Sequence, residues 1–253
     1  MSLKKSPLKD KPLRQPGQSV QEELDKILED KLLPYVVASA FLLSLAVQQW
    51  IAHLNQTPPQ PIFATVLAIL AIGYTTYLFS TYKKTIRNLK QGRDGEKAVG
   101  QFLEILREDG CVVFHDIIGN GFNIDHVVIS EKGIYCIETK TWSKPTSGSP
   151  MIHFDGSTLK VDSIGDKSEV LTQINSASKW LQSTLSESTG KTYDVNPVVL
   201  FPGWYINSKQ HSKIWVLEPK ALRAFIAKQN PSIKTEDKKL AAFHLSRYIR
   251  SLH

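Results

Sequence analysis

A chain of 253 residues, 42% hydrophobic and 22% charged, exceeds what one ordinary domain needs and is too apolar for wholesale disorder. Its two cysteines, Cys111 and Cys136, lie in apolar runs. That excludes a disulfide framework or a zinc pattern and fits free thiols in a reducing compartment. A formal net charge of +7 points toward polyanionic partners, nucleic acid or lipid headgroups.

In chain order, residues 1–31 read as a flexible cytoplasmic arm, with a short helix over Gln21–Leu32 running into the next element. Its Lys4, Lys5, Lys9, Lys11 and Arg14 read as solvated charge able to touch anionic lipid or nucleic acid. Two apolar stretches follow, Leu32–Leu54 and Ile62–Tyr82, 23 and 21 residues without Asp, Glu, Lys or Arg. Each matches the roughly 20 residues that cross a hydrocarbon core. A helix-breaking turn from Asn55 to Pro61 joins them. The pattern predicts a transmembrane helical hairpin, 32–54 and 62–82. The competing readings are a buried hairpin of a soluble protein and a cleaved signal peptide, the latter disfavoured by its late start and length. Lys26 and Lys31 precede the hairpin; Lys83, Lys84, Arg87, Lys90 and Arg93 follow it; the turn has no basic residue. The positive-inside tendency then places both termini in the cytoplasm, as a multi-pass protein of the cell inner membrane.

Residues 83–91 read as a juxtamembrane linker that continues the second helix to a break at Gly92. A domain over 92–253 follows. Its first helix opens at Gly95-Glu96 and carries an apolar stripe of Val99, Phe102, Leu103 and Leu106, on which Glu96 also falls. The strand Cys111–Asp116 and a loop over Ile117–Gly121 lead to strands Ile124–Ile129 and Ile134–Ile137. Beyond a Ser/Gly/Pro loop come a small hairpin around Asp155-Gly156, a helix from Val170 to about Ser186, strands Val195–Phe201 and Lys213–Leu217, and helices over Pro219–Gln229 and Lys234–Leu252. This order predicts an α/β domain, a mixed sheet flanked by helices.

The chemistry concentrates between Gly121 and Trp142. A Ser130–Gly133 turn, with Gly133 supplying positive φ, pairs 130 with 133 and 129 with 134. Counted outward, Asp125 faces Glu138, and strand spacing of about 4.8 Å sets their carboxylates side by side. Glu138 and Lys140 share a face. Opposed acids in a half-buried sheet are unfavourable, and a hard divalent cation such as Mg²⁺ or Mn²⁺ would offset the repulsion. The lysine would then orient or deprotonate a water, or hold a phosphate. A solvent-exposed hairpin end with a structural acid–lysine pair is the plainer alternative. His126 should point to the opposite face from Asp125. Trp204, Tyr205 and Trp215 could stack on bases, although burial in a sheet is the commoner fate of such aromatics.

Between Gly92 and Phe201 the chain resembles the NERD (nuclease-related) domain, related to the PD-(D/E)xK nuclease superfamily. The resemblance rests on Gly95-Glu96, on Asn123 to Val128, on Gly133-Ile134-Tyr135, on Ile137-Glu138-Thr139-Lys140 and on Gln173 in a later helix. It implies a restriction-endonuclease-like fold, metal ligands at Asp125 and Glu138 with Glu96 as the first-helix acid, Lys140 as catalytic lysine and Gln173 as a polar helper. The function expected is a membrane-anchored, Mg²⁺- or Mn²⁺-dependent nuclease hydrolysing phosphodiester bonds in the cytoplasm. A non-catalytic NERD module binding nucleic acid or protein, and a scaffold whose hairpin meets an integral membrane partner, are the alternatives. The partners expected are nucleic acid, DNA ahead of RNA although no residue separates the two, and the membrane; homo-oligomerisation is left open.

Overall fold

The computed structural model describes residues 12–54, 61–145, 150–162, 164–208 and 212–251. The chain forms two compact units: Ser19–Gln91 is one, and Met1–Gln18 together with Gly92–His253 is the other.

The first of these begins with α1 (Gln18–Lys26), a π-helical stretch (Ile27–Leu32) and α2 (Leu33–Leu54), and continues into α3 (Pro61–Leu103). Pro61 opens α3, where a missing N–H costs nothing. The two long helices pack antiparallel through small polar contacts: Ser39 Oγ lies 2.8 Å from Thr75 Oγ1, and Trp50 Nε1 donates to Thr65 Oγ1 at 2.9 Å. Tyr35 meets Tyr74 edge-on. Such small hydroxyl contacts let backbones approach closely in an apolar medium. Around them Val37, Phe41, Ile62 and Leu70 stand more than half exposed, an outer surface that water would not favour. Both helices are long and apolar enough to cross a membrane. The Asn55–Pro61 turn lies almost wholly outside the described residues. The predicted break at Gly92 does not occur. α3 runs on through Gly92 to Leu103, because Val99 and Leu103 must bury against the sheet below.

The other unit is mixed α/β and holds two sheets, where one central sheet was expected. The larger contains β1 (Val112–Ile118), β2 (Asn123–Ser130), β3 (Gly133–Thr139), β7 (Val195–Leu200) and β9 (Trp215–Leu217), in the order β1-β2-β3-β7-β9. The first two pairings are antiparallel and the last two parallel. Alternating side chains build a core on each face. Ile124, Val127, Ile129, Ile134 and Cys136 meet α4 (Glu169–Thr189) and α6 (Thr235–Ser251). Val128, Tyr135, Ile137 and Val198 meet the end of α3 and α5 (Pro219–Ala227). The smaller sheet orders β4 (Met151–Phe154), β5 (Leu159–Val161), β6 (Gly165–Asp166) and β8 (Tyr205–Ser208) as β6-β5-β4-β8. The Asp155-Gly156 hairpin is present; what has no local signal is the parallel pairing of β4 with distant β8, which turns it into a sheet.

Residues 12–17 depart from the expected flexible arm. Leu13 packs on the core, and Arg14 and Gly17 are buried. Both cysteines are buried free thiols.

Candidate active site

The hairpin register is the one counted from its turn. Ser130 pairs with Gly133, Ile129 with Ile134, and the ladder continues to His126 and Ile137. Gly133 takes φ 140. Asp125 and Glu138 occupy the next step, where regular pairing ends and Asp125 Oδ2 instead accepts the Thr139 N–H at 2.6 Å. On its other edge β3 stays paired with β7 through this step, with Glu138 opposite Val199 and the Lys140 N–H donating to Leu200 O at 2.9 Å.

Glu138 is buried at 4% exposure. Its Oε1 accepts from Lys140 Nζ at 2.6 Å and from Gln173 Nε2 at 3.0 Å, and Lys140 Nζ also reaches Gln173 Oε1 at 3.3 Å. An acid, a lysine and an amide from two elements thus form one closed triangle. Gln173 sits on α4, the helix covering the face to which Asp125 and Glu138 belong.

Glu96 arrives from the other side, on α3. Gly95 permits this, since a Cβ there would lie 1.8 Å from Thr141 Oγ1, so the helix crosses directly over the chain leaving β3. Glu96 is buried, and its carboxyl is pushed up to about 7, first by burial and then by the charges of Asp116 and Glu138; Lys140 and the Gly17 N–H oppose the rise. Asp125 is only half-buried by surface, yet protein surrounds its carboxyl. Burial raises it well above the usual carboxylate range, with Glu138 and Glu96 adding to the rise. The predicted site residues therefore lie at the start of β2 (Asp125), at the end of β3 and just beyond it (Glu138, Lys140), and on the helices α3 (Glu96) and α4 (Gln173).

A fourth acid stands beside them that the sequence reading did not single out. Asp116 falls at the step between the His115–His126 and Ile117–Ile124 pairs, the step that Asp125 occupies on β2. Asp116, Asp125 and Glu138 thus form a row across three adjacent strands. Asp116 is 2% exposed, has φ 52 and is paired with Arg14. The missed signal was Asn120-Gly121. Gly119 N–H donates to Phe122 O across it, with Gly121 at φ 82, and counting from this turn sets 116 opposite 125.

On the neighbouring step His115 Nδ1 lies 2.9 Å from His126 Nδ1, and His115 Nε2 lies 3.0 Å from Glu104 Oε1. His126 is fully buried, and burial holds it well below the usual histidine range. It belongs to the support of the row, on the face away from Asp125. Among the aromatics, Trp204 is buried and donates to Trp142 O, and Trp215 packs on Tyr135 and Phe225; Tyr205 alone of the three is 70% exposed.

The donors at the row are carboxylate oxygens, the chemistry a hard divalent cation takes, and their mutual repulsion is what such an ion relieves. As they stand, no three Asp, Glu, His or Cys side chains among the described residues are gathered tightly enough to hold an ion, and the Lys140 ammonium supplies the positive charge at Glu138.

Residues 91–202 match the model of the NERD family, the nuclease-related domain. An uncharacterized protein of Bacillus anthracis is 32% identical over 89 residues, 33% of this chain and 42% of that protein. The chain thus spans less than half the length of that relative. No solved structure matches the chain. The acid row, Lys140 and Gln173 all fall within the matched stretch, and residues 91–202 of this chain form a NERD, nuclease-related, domain.

Proposed function

We propose that this protein is a membrane-anchored, metal-dependent nuclease that hydrolyses phosphodiester bonds of nucleic acid on the cytoplasmic side of the membrane. The observation that carries the reading is the convergence of Asp125, Glu138 and Lys140 at the end of β2 and β3, inside a nuclease-related domain. Asp125 and Glu138, with Glu96, are the residues that would hold Mg²⁺ or Mn²⁺. Bound there, the ion would supply a Lewis acid for the phosphoryl oxygens and would lower the pKa of a water.

The chain's own groups do the rest. Lys140, which the structure places on Glu138 and Gln173, is free to pass a hydrogen bond to an attacking water or to a phosphate oxygen once Glu138 is otherwise engaged. Gln173 keeps the lysine on the acid's side by bonding both partners. The Thr139 N–H fixes one Asp125 oxygen, which leaves the carboxyl little rotational freedom. The net charge of +7 favours a polyanionic substrate. Basic residues on both flanks of the apolar helices and none in the turn between them support cytoplasmic termini.

The test uses the full chain in nanodiscs, with labelled DNA and RNA and titrated Mg²⁺ or Mn²⁺. Cleavage that requires the ion and falls by about 100-fold or more in Glu138→Ala and in Lys140→Ala is the expected result. Undiminished cleavage in either variant would sink the assignment. The second reading, a non-catalytic binding module, is favoured by the ion pair that already satisfies Glu138. Nucleic-acid binding that needs no metal, without turnover, is the outcome that selects it.

A further inference from the structure

The segment ahead of the apolar helices closes over the site. Leu13 packs on the core cluster beneath α4 and α6. Arg14 Nε lies 2.5 Å from Asp116 Oδ2, and both side chains are 2% exposed. Pro16 covers Gly100 so closely that a Cβ there would come within 2.5 Å of the proline ring. Gly17, at φ 69, lies on the backbone of Arg93, and its N–H bonds the Glu96 carboxyl. Residues 93, 96 and 100 follow one stripe of α3, so the strap runs along the first helical turns of the domain and ends on its acid. Its other end is fixed at the acid row through Asp116.

We propose that Arg14 and Asp116 are positioning residues of the site: their buried ion pair pins residues 12–17 along α3, and the strap holds Glu96 against the carboxylate row. The proposal rests on the nuclease reading for its catalytic consequence, and on geometry alone for the strap.

Two features argue against a merely structural pair. Asp116 adopts a positive φ, which costs a non-glycine residue and persists only where its surroundings enforce it. It does so at the one step of β1 that faces Asp125. Strain and buried charge are thus both spent beside the site and not in the body of the sheet. The two residues are also 102 apart in sequence, so the pair brings a distant segment to Glu96 that no local preference would.

The full chain in nanodiscs tests this, with Arg14→Met, Arg14→Lys, Asp116→Asn and the Arg14→Met/Asp116→Asn double variant. Amide hydrogen exchange is read at 12–17 and 93–100, with β2 and β3 as the fold control, and kcat and KM are read beside it. In Arg14→Met, exchange at both segments rises while β2 and β3 stay protected. kcat falls by about 10- to 100-fold with KM little changed, the expected size for a displaced catalytic group. Arg14→Lys recovers part of the loss, and the double variant is no worse than Arg14→Met, because the ion pair is already lost in the single variant. Unchanged protection at 93–100 overturns the proposal, as does an opened strap with unchanged kcat. If the wild-type protein shows no turnover, the nuclease reading falls. The exchange data then decide alone: opening at 93–100 supports the strap's hold on Glu96, and its absence refutes it.

Discussion

A single glycine decides how close α3 comes to the site. At Gly95 an added Cβ would meet Thr141 Oγ1 at 1.8 Å, whereas at Gly92, one helical turn earlier, nothing lies within 4 Å. The same substitution should therefore act in opposite directions. Gly92→Ala should stabilise by about 0.5–1 kcal/mol, the helix-propensity gain, and Gly95→Ala should destabilise by about 1–3 kcal/mol through overpacking and impair cleavage by moving Glu96. Chemical denaturation of both variants, with a cleavage assay, reads the contrast; equal effects would refute it.

His115 offers a second test at this scale. Burial lowers its pKa, while Glu104 opposes the shift; Arg107, Asp116 and His126 are the other titratable or charged groups facing it. A histidine whose folded pKa lies below its unfolded value of about 6.5 contributes stability that is full above that value and is lost as pH falls through it. Between pH 7.5 and 5.5 the thermal midpoint of His115→Gln should fall less than that of the wild type. A wild-type midpoint that falls no more than the variant's would contradict the assignment.

The positions at which the candidate residues meet were largely legible. Glu96 betrayed itself as an acid on an apolar stripe, and Asp125 and Glu138 by counting from a tight turn. Asp116 and Arg14 were not. The arginine sits among lysines in a polar segment that reads as solvated, and only a contact over 102 positions removes it from water.

Among the elements, the β2–β3 hairpin is the most strongly specified. Its register follows from the turn, and a slip by one would turn Ile129 and Ile134 out of the core. Gly133, at φ 140, also lies where a Cβ would press the Asn196 side chain at 2.9 Å. Gly133→Ala should cost about 1–3 kcal/mol, from strain and crowding together. A fall in thermal midpoint too small for that range would show that the turn can re-form. Elements with local signatures matched their expected ranges to within a few residues: β7 is a short apolar run, and α4, α5 and α6 carry clear periodicity. Two did not. The helix break at Gly92 failed because packing of Val99 and Leu103 outweighs one glycine's propensity. The second sheet escaped notice because β4 and β8 pair across about 50 residues with no turn between them to count from.

At the level of the whole molecule, the boundary that sequence suggests and the one the contacts draw are different. Composition separates 1–31 from 92–253, but contacts assign Met1–Gln18 to the same unit as Gly92–His253. A fragment of residues 83–253 keeps every residue of the acid row and loses Arg14, and with it the buried ion pair to Asp116. Breaking a buried pair in this way costs about 3–5 kcal/mol. The fragment should therefore unfold at lower denaturant than the same unit in the full chain. Equal midpoints would mean that the pair contributes little.

The same interruption imposes an order on biosynthesis. Residues 12–17 leave the ribosome ahead of both apolar helices, and Asp116 is translated only after them. Through that interval the Arg14–Asp116 pair cannot form, and residues 93–100 of α3 have no cover until residues 12–17 return to them. A nascent chain halted before β1 therefore holds a finished helical pair and an unfinished α/β unit. The acid row can be completed only once the helical pair already exists.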